Sequence, residues 1–85
     1  MEVLIPSPLL SYTRRPRVTA QGATLDEVLR DLDRQFPGFR FRVVDEQGRL
    51  RRHLRCFLEG EQVFDLATAL DPSQELIIVQ ALSGG

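Results

Sequence analysis

Thr24 and Glu27 frame the start of the one strongly periodic helix in the sequence, and that helix limits what the rest of the chain can become. The pattern Thr-x-x-Glu is a capping box, in which the threonine hydroxyl and the glutamate carboxylate satisfy amides that the first helical turn leaves unpaired. Leu25, Val28, Leu29, Leu32 and Phe36 then recur at helical spacing and make one apolar stripe. Asp26, Arg30 and Arg34 lie four apart on the other face. Pro37–Gly38 stops the element, so the spacing predicts a helix over 25–36. A single amphipathic helix needs one apolar layer to cover it, and the flanking runs must supply a sheet.

Those runs read as strands. Residues 2–6 are an apolar run stopped by Pro6. Residues 7–16, with Pro8, the Arg14–Arg15 pair and Pro16, suggest a turn. Residues 17–21 alternate weakly and can pair back on the first strand. Phe39, Phe41 and Val43 alternate with Arg40 and Arg42, a pattern for a strand or an extended loop. Residues 45–48 form a turn, 53–58 a strand, 62–64 a short strand, 65–70 a helical turn and 75–81 the last strand. If the first and last strands lie parallel in mid-sheet, with the helix across one face, the fold is α+β with a mixed sheet, a β-grasp arrangement. Residues 1–81 are expected to form one domain, and 82–85 a flexible tail.

Composition excludes several functions. Eighty-five residues bury only a modest core and leave little for a deep substrate cleft, so an independent enzyme is not expected. The net charge of −1 argues against a dedicated nucleic-acid binder. One cysteine and one histidine exclude an internal disulfide and a Cys- or His-based metal site. The first residues, acidic at Glu2 and broken by Pro6 and Pro8, resemble neither a signal peptide nor a membrane span. The chain is therefore expected to be soluble, cytoplasmic and monomeric when free, with no bound cofactor. All eleven basic residues are arginine, so no side-chain amine is present.

The chemistry is expected at the other end. The sequence finishes Ser83–Gly84–Gly85. Without a Cβ, two glycines pass through a channel too narrow for other residues and leave the carboxylate uncovered. Such a carboxylate can attack the α-phosphate of ATP in a partner's site and become an acyl adenylate open to sulfur or amine nucleophiles. Gly occupies ~7% of positions on average, so a terminal pair arises by chance in roughly half a per cent of chains.

Strand parity adds a docking surface. With Val3, Ile5, Leu54, Cys56, Leu58, Leu76 and Ile78 facing the helix, Leu4, Phe57, Ile77 and Val79 face away. These four are expected to form an exposed apolar patch that binds a partner, with Leu82 and Ser83 at the root of the tail. Cys56 is read as core, and His53 as a surface residue at a strand entry. The arginines at 14, 15 and 17, and at 49, 51, 52 and 55, are read as solvated faces, with an acidic-partner contact as the lesser reading for the second group.

The diglycine, the first strand VLIPSPLL, the helix ATLDEVLRDLDRQFPG, the segment GRLRRHLRCFLEGE and the ending ELIIVQALSGG together resemble the ThiS/MoaD family of ubiquitin-like sulfur carriers. The Ile5–Pro6 pair and the segment around His53 are most similar to the CysO/QbsE-like branch. Glu59 stands where the family often has Asn, and Gln80 where many members have Pro. The resemblance implies that a ThiF/MoeB-type enzyme uses Mg-ATP to adenylate Gly85. A sulfide or persulfide source then makes a thiocarboxylate, and a biosynthetic enzyme accepts the sulfur, for cysteine, thiamin, molybdopterin or a specialised metabolite. Gly85 would supply the reacting group and Gly84 the clearance. A protein modifier joined through Gly85, and a β-grasp binding module without terminal chemistry, remain the alternatives.

Overall fold

The computed structural model describes residues 1–81. Five strands form one sheet: β1 (Glu2–Leu4), β2 (Arg17–Thr19), β3 (Leu54–Leu58), β4 (Glu61–Val63) and β5 (Glu75–Gln80). Their order across the sheet is β2-β1-β5-β3-β4. β1 and β5 run parallel in the interior, and every other neighbouring pair is antiparallel. This is the expected β-grasp arrangement, with α2 (Leu25–Gln35) packed on one face.

The first three amides of α2, those of Leu25, Asp26 and Glu27, which the helix itself leaves unpaired, all find acceptors. Thr24 Oγ1 accepts from the Glu27 amide at 3.2 Å, and the Thr24 carbonyl takes the Val28 amide at 3.0 Å. The carbonyls of Thr68 and Leu66 accept from Leu25 and Asp26. The Glu27 carboxylate reaches back to the Ala23 amide at 3.0 Å, one residue beyond its place in a standard capping box. The segment 65–70 closes a single turn, with the Thr68 amide donating to the Asp65 carbonyl at 3.0 Å, and its carbonyls are drawn into capping.

Leu25, Val28, Leu29 and Leu32 are buried against Val3, Val18, Leu54, Cys56, Leu76 and Ile78 from the sheet. Every inward position expected from strand alternation lies in this layer or packs against it; Leu58 is the one only partly buried.

Two short helices depart from the sequence reading. Residues 7–16 hold a 3-10 turn (Ser7–Leu9) running into α1 (Leu10–Thr13), not a simple turn. Leu9 and Thr13, four apart, are both buried, and the Thr13 hydroxyl donates to the Arg15 carbonyl at 2.8 Å. Pro8 sits in the first turn, where its missing amide costs nothing.

Residues Phe39–Val43 form α3, not a strand. The run Phe-Arg-Phe-Arg-Val satisfies a period of two, but Phe39 and Val43 also stand four apart, and both are fully buried. Phe41, inward on a strand reading, is 57% exposed. Gly38, at φ 94°, makes the left-handed bend into α3. Asp33 Oδ1 accepts from the amides of Gly38 and Arg40 at 3.1 Å each, so a carboxylate from α2 caps α3. Tyr12 meets Phe39 edge to face, with ring centroids 6.4 Å apart.

Candidate functional site

β5 is central, and its outward side chains sit at the middle of the face opposite α2. Ile77 is opposite Leu4 on β1 and opposite Phe57 on β3. The three are partly exposed and form one row, closed by Arg17 beyond Leu4 and Gln62 beyond Phe57. Val79, 38% exposed, stands next along β5, opposite Arg55. The structure therefore brings Leu4, Ile77, Phe57 and Val79 onto one surface. Arg55 lies on that face as well, as strand alternation with Phe57 predicts. The sequence reading closes the strand at 62–64 on Phe64, but β4 ends at Val63 and Phe64, 74% exposed, directly follows it.

The row beside this one is polar. Glu2 is opposite Thr19 and Glu75, and Arg17 Nη1 bridges to both carboxylates, to Glu75 Oε2 at 3.2 Å and to Glu2 Oε1. These groups are exposed, and the pairing orients them more than it stabilises the fold.

β5 finishes at Gln80, opposite Leu54, and the Ala81 amide donates to the His53 carbonyl at 2.7 Å. The expected site residues Leu82, Ser83, Gly84 and Gly85 lie outside the described residues. Ala81, the last described residue, is held beside His53 at the end of β5.

Cys56 is fully buried, and burial pushes its thiol pKa up to about 12. It is a neutral, apolar filler at neutral pH, not a sulfur nucleophile. Among the described residues, no group of three or more His, Cys, Asp or Glu side chains could hold a metal ion. None of the described helices is long and apolar enough to cross a membrane.

Comparison with known proteins identifies this arrangement. The model of the ThiS family matches residues 3–85. The chain belongs to the ThiS family. This ThiS-family chain is 33% identical over 89 aligned residues to the sulfur carrier protein CysO of Mycobacterium tuberculosis, covering 98% of this chain and 96% of that one. A chain in the crystal structure of the BexX/CysO complex from Amycolatopsis orientalis superposes with a TM-score of 0.90 at 30% identity, over 99% of this chain and 98% of the other. The small archaeal modifier protein 1 of Haloferax volcanii is 26% identical with a TM-score of 0.78, over 96% and 97%. The ThiS-family match runs through the diglycine, so it includes the four residues that follow the described sheet.

Proposed function

We propose that this protein is a sulfur carrier whose reacting group is the Gly85 carboxylate. The observation that carries the reading is the end-to-end match to sulfur carrier protein CysO, which spans 98% of this chain. In this role the chain is a substrate of enzymes and catalyses nothing itself.

The chemistry proceeds in two displacements on a partner of the ThiF/MoeB type. A Gly85 carboxylate oxygen attacks the α-phosphorus of Mg-ATP, and pyrophosphate leaves. Hydrosulfide sulfur then attacks the acyl carbon, AMP leaves, and a proton is released as the thiocarboxylate forms. A biosynthetic enzyme takes the sulfur from that thiocarboxylate. ATP and magnesium belong to the partner's site.

The sheet supports this role by geometry. Residues 82–85 of extended chain reach at most about 14 Å beyond Ala81. An enzyme that holds Gly85 in its active site therefore also touches the end of the sheet. Leu4, Phe57, Ile77 and Val79 supply an apolar surface at that place, and Leu82 and Ser83 link it to Gly84 and Gly85. Apolar and aromatic side chains at the centre of a contact with a polar rim are what a docking surface needs.

Adenylation is tested by carrier-dependent exchange of labelled pyrophosphate into ATP with a ThiF/MoeB-type enzyme. Wild-type chain should support exchange, and a chain extended by one alanine after Gly85 should not. Equal exchange by both would contradict the proposal.

A second reading has one observation in its favour, the 26% identity to an archaeal modifier protein. The same adenylate could pass Gly85 to amines of other proteins. High-mass conjugates of the chain in cell extract, stable to reducing agent, would support it. With no lysine in the sequence, such conjugates could not extend into lysine-linked chains of this protein.

A further inference from the structure

The net charge of −1 conceals a separation of charge along the sheet. Arg17, Arg30, Arg34 and Arg40 are paired with carboxylates. The other arginines make no ion pair among the described residues. Four of these, Arg49, Arg51, Arg52 and Arg55, line one groove of about 320 Å³ together with Gln62 and Phe64. The groove lies along β3 and β4 at the end of the sheet where β5 finishes, since Arg55 is opposite Val79 and the His53 carbonyl holds the Ala81 amide. Asp45 accepts from the Arg49 amide at 3.0 Å beside the groove, but the carboxylates of the strands gather at the other end. Glu2 and Glu75 are paired where β5 begins, and Glu59 and Glu61 follow Leu58, which lies opposite Leu76.

Several guanidinium groups in one groove repel one another, and a partner's carboxylates relieve that repulsion. The guanidinium is a planar fork of donors that fits a carboxylate with two parallel hydrogen bonds. Arg51 is already positioned. Its Nε donates to the Phe41 carbonyl at 2.7 Å, and its guanidinium carbon lies 4.7 Å from the centre of the Phe41 ring. A side chain held before binding loses less freedom on binding.

We propose that this groove receives an acidic segment, rich in Asp and Glu, of the enzyme that activates the tail. The inference rests on the sulfur-carrier reading. The groove opens at Leu54 and Arg55, next to the His53 carbonyl that holds the Ala81 amide, so the contact would fix the carrier's orientation on the enzyme. A protein surface fits better than nucleic acid, because the carboxylates at the far end of the sheet repel an extended polyanion.

The test is the carrier KM in pyrophosphate exchange, with a ThiF/MoeB-type enzyme that charges wild-type chain, at ionic strengths from about 0.05 to about 0.3 M. Arg49→Glu/Arg52→Glu should raise KM by about tenfold or more at low salt, leave kcat unchanged, and flatten the salt dependence. Arg30→Glu/Arg34→Glu makes the same charge change on α2 and should move KM less than about threefold. The milder Arg52→Gln/Arg55→Gln should give an intermediate rise, and melting temperatures confirm that each variant is folded. Equal effects of the groove and helix variants, with wild type fully charged, would overturn the groove alone. Failure of every such enzyme to charge wild type would overturn the carrier reading and this inference with it. Binding of a single-stranded oligonucleotide that is lost in the groove variant, with KM unmoved, would reassign the groove and overturn the proposal.

Discussion

Phe57 and Ile77 stand directly opposite each other on antiparallel β3 and β5, on the face of the sheet that α2 does not cover. Their ladder neighbours Cys56 and Ile78 are buried beneath α2. One residue of register thus separates the core from the proposed docking surface, because adjacent side chains leave a strand on opposite faces.

Phe57→Ala should therefore separate binding from stability. Loss of a partly exposed ring should cost the fold about 1 kcal/mol or less, while the carrier KM with an activating enzyme should rise by about tenfold or more. Thermal melting and pyrophosphate exchange on the same preparations measure both. A large fall in melting temperature without a selective rise in KM would place Phe57 in the core.

The Cys56 thiol, held near pKa 12 by burial, should be inert in the folded protein. Alkylation at neutral pH should proceed only at the rate of unfolding and accelerate in denaturant. Cys56→Ala should still be adenylated at Gly85 and form the thiocarboxylate. Loss of sulfur loading in that variant, with the fold intact, would return Cys56 to the chemistry.

Gly22 lies against the first turn of α2. A Cβ there would stand 2.6 Å from the Val28 nitrogen and 2.8 Å from the Glu27 Cβ. Gly22→Ala should destabilise the fold by about 1–3 kcal/mol, lowering the melting temperature by roughly 5–20 °C. An unchanged melting temperature would mean that the chain before α2 shifts without cost.

Acid should weaken the fold in a defined range. Arg30 and then Arg40 hydrogen-bond the Asp26 carboxylate, at 2.7 Å each, and hold it below the usual carboxylate range. The Gln21 amide, then Gln35 and Arg34, do the same for Asp31. Both folded values lie below the unfolded value of about 3.9. Their stabilisation is therefore present above that value and is lost as pH falls through the folded values. Melting temperature should vary little with these two groups from pH 7 to about 5 and fall below about 4. Asp31→Asn should blunt the fall; a fall unchanged in that variant would assign it elsewhere.

Much of this molecule is legible in its residues, for physical reasons that differ from place to place. Thr24 and Glu27 announce α2 because capping is local chemistry. The outward set of Leu4, Phe57, Ile77 and Val79 follows from alternation once one inward residue per strand is known. Phe39–Val43 misleads because its residues fit periods of two and of four, and only the buried Phe39–Val43 pair decides between them. Residues 10–13 are hidden by Pro8 and Pro16, which advertise a turn although Pro8 suits a helical start. The run of arginines from 49 to 55 is plain in the sequence. Its position beside the end of β5 depends on the sheet order, which no local pattern carries.

The mass of the intact chain tests the central claim most directly. After incubation with a ThiF/MoeB-type enzyme, Mg-ATP and sulfide, the chain should gain the difference between one sulfur and one oxygen, located by fragmentation at Gly85. Cys56→Ala should gain the same mass, and the chain extended beyond Gly85 should gain none. An unchanged mass, with an enzyme that loads its own carrier in the same mixture, would contradict the sulfur-carrier assignment.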